Sequence, residues 1–145
     1  STIDHGCENS SSTGGAVLAS SGVASLGADT VVFTTSGEKP TATSIVLQGN
    51  GNIAVGVPFG QGVRCVSGML LRLYTKIAVA GSITAPNFGA GNPSVSMQSM
   101  LLGDIIMVGQ MRFYAVYYRD PTVLGGCSLA STFNATHGAK ILWGL

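Results

Sequence analysis

Residues 110–121, QMRFYAVYYRDP, constrain the fold of this chain more than any other stretch. Extended backbone sends alternate side chains to opposite faces. Met111, Phe113, Ala115 and Tyr117 then share one face, and Arg112, Tyr114, Val116 and Tyr118 share the other. Neither face is plainly polar, so the pattern predicts a central strand between two layers. The strand stops at Asp120-Pro121, because proline lacks a ladder donor and biases the residue before it. A strand covered on both faces needs sheet neighbours, and the rest of the chain reads as their source.

Short extended runs are expected at residues 16–19, 22–26, 29–35, 44–48, 63–66 and 140–143. Residues 69–79 read as a strand in preference to a helix, given their β-branched content and flanking glycines. Residues 94–100 alternate and are also read as extended, with 105–108 leading into the central strand. Gly, Pro and Asn clusters at 36–40, 49–52, 58–62 and 85–92 supply turns. With no helix expected, the chain reads as an all-β, two-layer antiparallel β-sandwich of jelly-roll or immunoglobulin-like topology. At 145 residues it is one domain, over 16–145, preceded by a polar, small-residue stretch over 1–15. That stretch is either a loose leader or an extended N-terminal arm that packs on another subunit.

Charged residues make up only 9% of the chain, against about 25% in ordinary soluble domains. The surface must then rest on Ser, Thr, Asn, Gln and Gly. Covering such a surface costs little desolvation, which favours packing against other copies, a cell surface or a polysaccharide. Net charge is +1 with its cations scattered, which argues against nucleic-acid binding. No apolar run is long enough for a membrane span. The 21 glycines lack a period of three, which excludes collagen. Ser1 opens the chain without methionine, and a mature secreted chain after signal-peptide removal is expected.

No catalytic constellation stands out, and no enzyme activity, cofactor or metal site is expected. Asp4, Glu8, Asp29, Glu38, Asp104 and Asp120 are scattered, so no carboxylate pair is favoured. His5 and His137 lie at opposite ends, and neither CxxC pairs nor histidine-ligand spacing occur. There is no G-x-S-x-G elbow and no nucleotide-binding glycine fingerprint. Tyr74, Tyr114, Tyr117 and Tyr118 would serve as a sugar-stacking platform if exposed, and as core or interface anchors if covered. Arg119, beside Asp120, joins Tyr74, Tyr114 and Tyr118 as a candidate ligand or interface residue. The simpler role for Asp120 is a turn residue accepting bonds from backbone amides. Asn9 and Asn134 open glycosylation sequons.

Four fragments together resemble one family: GCENSSSTG at 6–14, PFGQGVRCVSG at 58–68, QMRFYAVYYRDP at 110–121, and CSLASTFN at 127–134 followed by Trp143. The set is similar to the Gly- and Ser-rich secreted β-domains of planctomycete and myxobacterial extracellular proteins. Gln61 stands where that pattern carries Asp, and Ser67 where it carries Gly. The resemblance covers nearly the whole chain and implies a secreted β domain, without implying an activity. Secretion makes a disulfide plausible, but Cys7, Cys65 and Cys127 are an odd number. A Cys65–Cys127 bridge is expected, since both flank core strands and both sit in the family motifs. It would stabilise by about 3–5 kcal/mol. Cys7 is then left free or available to cross-link a neighbouring subunit.

Two functions from different classes remain. The first is a non-enzymatic extracellular structural protein, a self-assembling homo-oligomeric subunit of a surface filament, pilus-like fibre or layer. Its arm, through Ile3, Cys7, Val17 and Leu18, would pack on or add a strand to the next subunit. The second is a secreted carbohydrate-binding or adhesion module using an exposed tyrosine row.

Overall fold

The computed structural model describes residues 6–7, 9–59, 62–120 and 133–145, with side chains at all of these except 53–59, 62–63 and 65. Its strands are β1 (Val17–Ser21), β2 (Val32–Ser36), β3 (Thr43–Gly49), β4 (Gly51–Phe59), β5 (Gly62–Ser67), β6 (Leu71–Ile77), β7 (Thr84–Ala85), β8 (Met111–Arg119), β9 (Phe133–Ala135) and β10 (Ala139–Leu142). Helix α1 (Val95–Leu101) precedes β8, and a 3-10 turn covers Phe88–Ala90. The pairings between these strands are antiparallel, as expected for an all-β sandwich.

The largest sheet runs β10-β8-β3-β6, and β9 shares the β10 edge of β8. β10 pairs with the start of β8 (Ala139 opposite Tyr114) and β9 with its end (Tyr118 opposite Asn134). A smaller sheet, β1-β2-β7, packs on one face, and the β4–β5 ribbon on the other. The alternation of β8 sorts its side chains between these layers. Tyr114 and Val116 enter the main core with Leu18, Phe33, Val46, Leu73, Ala85 and Trp143. Ala115, Phe113 and Tyr117 meet Leu47 and Val66 on the ribbon side. Phe33 and Tyr114 stack across the sheets at a ring-centroid separation of 4.7 Å. The position expected for β8, central and covered on both faces, follows from this.

Close backbone approach decides two glycines. A Cβ on Gly49 would lie 2.3 Å from the Ser67 carbonyl oxygen, so glycine there lets the ribbon seat against β3. A Cβ on Gly6 would lie 1.9 Å from the Ala135 oxygen, which holds the N-terminal stretch against β9. β6 carries a bulge: the register steps from Val46–Tyr74 to Leu47–Arg72. The extra residue puts both Leu73 and Tyr74 inside and breaks the clean alternation expected for this strand.

Two expectations, for 94–100 and 22–26, are corrected. Residues 94–100 are not extended; Val95–Leu101 is helical, with the Ser94 side chain accepting from Met97 N as N-cap. Residues 105–108 form no regular element, and 22–26 contribute only the bridge from Ser25 to Gly144. The described residues of the stretch 6–15 are bonded to their own domain. Gly6 N donates to Ala16 O at 2.8 Å, and Ser10 N to Asp120 Oδ2 at 2.9 Å. Asn9 Nδ2 has Gly37 O at 2.7 Å and Tyr118 Oη at 3.0 Å. Of the proposed arm residues, Leu18 is core, Val17 lies partly exposed on β1, and Cys7 is buried. Ile3 lies outside the described residues.

Candidate functional site

The described carboxylates do not converge. Asp29 accepts from Val31 N, Ser96 N and Ser96 Oγ, tying the first turn of α1 to the residues before β2. Asp120 accepts from Ser10 N and, at 2.5 Å, from Ser10 Oγ, so it fastens the N-terminal stretch. Glu38 is buried between the sheets and accepts from the hydroxyls of Thr35 and Ser44. Burial pushes its carboxyl up from the ordinary range, partly opposed by the Ser44 and Thr35 hydroxyls. Asp4 and Glu8 lie outside the described residues. Among the described residues no group of three His, Cys, Asp or Glu is placed to hold a metal.

Asp104 anchors the most extensive polar network. Its Oδ2 accepts from Arg112 Nε at 2.7 Å and its Oδ1 from Arg112 Nη2 at 2.8 Å, a bidentate pair. These bonds to Asp104 push the Arg112 guanidinium further up, against the smaller effect of burial. Gln48 Nε2 donates to Ser99 Oγ at 2.7 Å and to Asp104 Oδ2 at 3.1 Å, and Ser99 Oγ donates to Asp104 O. Tyr114 Oη donates to Gln48 Oε1 at 2.9 Å, and Trp143 Nε1 donates to Tyr114 Oη at 3.2 Å. Arg112 also reaches Gln110 Oε1, which accepts from Met107 N. The chain of bonds therefore runs from the core to α1 and to the loop 102–110, and fixes both. Each of these side chains has a protein partner.

The candidate ligand residues are not brought together. Tyr74, Tyr114 and Tyr118 are buried, with their hydroxyls bonded to Pro93 O, Gln48 Oε1 and Asn9 Nδ2 respectively. Burial pushes the phenols of Tyr74 and Tyr114 up, which keeps them neutral. Tyr117 is half-buried in edge contact with Phe133, and Arg119 is exposed at the end of β8. These tyrosines are core anchors, and they form no exposed row. Both sequon asparagines are buried. Asn9 Nδ2 is engaged as above, and Asn134 Nδ2 donates to Cys7 O at 3.2 Å. His137 follows β9 and is half-buried; His5 lies outside the described residues.

Cys7, expected to be spare, is 3% exposed and disulfide-bonded. The side chains of Cys65 and Cys127 lie outside the described residues.

What remains is an exposed face that the sequence reading missed. Helix α1 turns Val95 and Ser99 inward and leaves Met97, Met100 and Leu101 outward, at the i, i+3 and i+4 positions of one helical face. The loop that follows exposes Leu102, Ile105, Met107 and Val108. The one charged residue in 93–111 is Asp104, and it is buried against Arg112. A groove of about 340 Å³ runs beside the helix between Met97, Met100 and Ile105 on one side and Leu26 and Asp29 on the other. The findable signal was Pro93-Ser94 as a helix start, followed by apolar residues three and four apart.

The chain matches no family model, no curated protein and no solved structure.

Proposed function

We propose that this domain is a non-enzymatic structural protein that works by associating with copies of itself, as the subunit of an extracellular filament or layer. The observation that carries this reading is the apolar, charge-free surface of residues 97–108. The bonded network of Asp104, Arg112, Gln48 and Ser99 lies beneath it. Such a surface loses little by leaving water and gains by being covered. The 9% charge content supports the same reading, because few ions on the rest of the surface oppose close approach of identical subunits. Secretion, with the resemblance to Gly- and Ser-rich surface domains, belongs to this proposal. Attachment through a swapped N-terminal arm does not, since the described part of that stretch binds its own domain.

Negative-stain electron microscopy of the purified chain tests the reading. Ordered fibres or sheets that grow with protein concentration are the expected result. Isolated particles of single-chain size at every concentration would refute it.

A further inference from the structure

Ordinary surface helices bury their apolar face; α1 does the reverse. Its inward positions are Val95 and Ser99, and its outward ridge is Met97, Met100 and Leu101. In the loop that follows, Ile105, Met107 and Val108 are also exposed, and Ile105 lines one groove with Met97 and Met100. From their fractional exposures, these residues with Leu102, backbone included, present roughly 700 Å² of accessible surface. It is close to the ~800 Å² that each partner brings to an interface of standard size.

The chemistry of the patch narrows what covers it. A lipid surface is gripped by amphipathic elements that flank their apolar face with Lys or Arg. Residues 93–111 contain neither. Asp29, the charged residue lining the adjoining groove, already accepts three hydrogen bonds from Val31 and Ser96. The face formed by residues 97–108 exposes no charged side chain that would repel a second copy. It also places a ridge directly beside a groove, so the same face supplies both halves of a fit.

Resting on the self-assembly reading, we propose that this face pairs with the same face of a second copy around a two-fold axis, helix α1 lying antiparallel to its counterpart. A two-fold axis near the middle of the helix sets Leu101 of one copy toward Met97 of the other. The ridge side chains then have the neighbouring groove, walled by Met97, Met100 and Ile105, to enter. Methionine suits such a contact, because its unbranched side chain fills irregular gaps. The contact is closed, so it generates a dimer; a filament or layer is built by joining such dimers through a second surface.

Sedimentation equilibrium of the full chain tests the pairing, using a Leu101→Glu/Met107→Glu variant. Both residues are more than 60% exposed, so the monomer should keep its circular dichroism and melting temperature. Ile77→Glu/Val79→Glu is the control. Those residues are exposed at the opposite end of β6, by Thr43 rather than Gln48. Burying the new carboxylates against each other should raise the dissociation constant of the pair at least about a hundredfold in the first variant. The control should leave it unchanged.

If the wild type associates and the Leu101→Glu/Met107→Glu variant does so equally well, this face is not the contact, while self-assembly survives through another surface. If the wild type stays monomeric up to about 100 μM, self-assembly itself fails and the pairing with it. If that monomer floats with phosphatidylcholine vesicles and the Leu101→Glu/Met107→Glu variant does not, the face binds lipid and the pairing is overturned.

Discussion

Removing the Asp104 carboxylate should be among the most damaging single changes to this domain, and its size follows from the geometry. Asp104→Ala leaves the Arg112 guanidinium in place at 7% exposure, without the two charge-assisted bonds at 2.7 and 2.8 Å that now satisfy it. Breaking a buried pair by deleting one partner costs about 3–5 kcal/mol, mostly because the other charge is left uncompensated. Against a total stability of about 5–15 kcal/mol this is a large fraction. At about 2–4 °C per kcal/mol for a chain of this size, melting should fall by about 6–20 °C. Urea denaturation with matched thermal melts measures both. Asp104→Ala/Arg112→Met is the informative partner, because it removes both charges and keeps apolar volume. It should recover at least half of the loss, since replacing a buried pair by apolar groups is often close to neutral. A single-variant loss below about 1 kcal/mol, or a double variant no better than the single, would refute the buried-pair reasoning.

Two further outcomes follow from buried groups. Glu38 has its carboxyl pushed up chiefly by burial, so the folded state holds its proton more tightly than the unfolded chain does. The stability linked to that proton is fully present below the unfolded value of about 4.3 and is lost as pH rises through the raised folded value. Glu38→Gln removes the dependence. It should be at least as stable as wild type at pH 7, with the gap closing as pH falls; a gap that does not change with pH would count against this account. Cys7 should be recovered by non-reducing peptide mapping in a bond within one chain, and Cys7→Ala should cost about 2–5 kcal/mol. Covalent dimers or ladders through Cys7 on a non-reducing gel would contradict it.

The part of the fold that was legible in the sequence rests on period-two alternation. β8 was placed centrally because neither of its faces is polar, and both faces are covered, by β1-β2-β7 and by the β4–β5 ribbon. Burial of Tyr74, Tyr114 and Tyr118 was one of two readings left open, since nothing in their spacing reports which hydroxyls find partners inside. Those partners, Pro93, Gln48 and Asn9, lie 19, 66 and 109 residues away in the chain. The bidentate pair of Asp104 with Arg112 was equally hidden, because it depends on the turn after α1 bringing Asp104 over β8.

Helix α1 was missed for a different reason, and that reason bears on function. Ser-Val-Ser-Met at 94–97 imitates a strand, and the rule for assigning a helix is an apolar stripe that faces the core. Here the stripe faces water: Val95 and Ser99 make the inward contact, while Met97, Met100 and Leu101 point away from it. An outward stripe gains free energy when it is covered, which is the basis of the self-association proposed above. Asp104, Ser99 and Gln48 bond the helix to its following loop and to β3. Rigidity lowers the entropic cost of association, because side chains and loops already ordered lose little more on contact. A face that is apolar, uncharged and held still is therefore better suited to a repeated protein contact than to the adaptable capture of a small ligand.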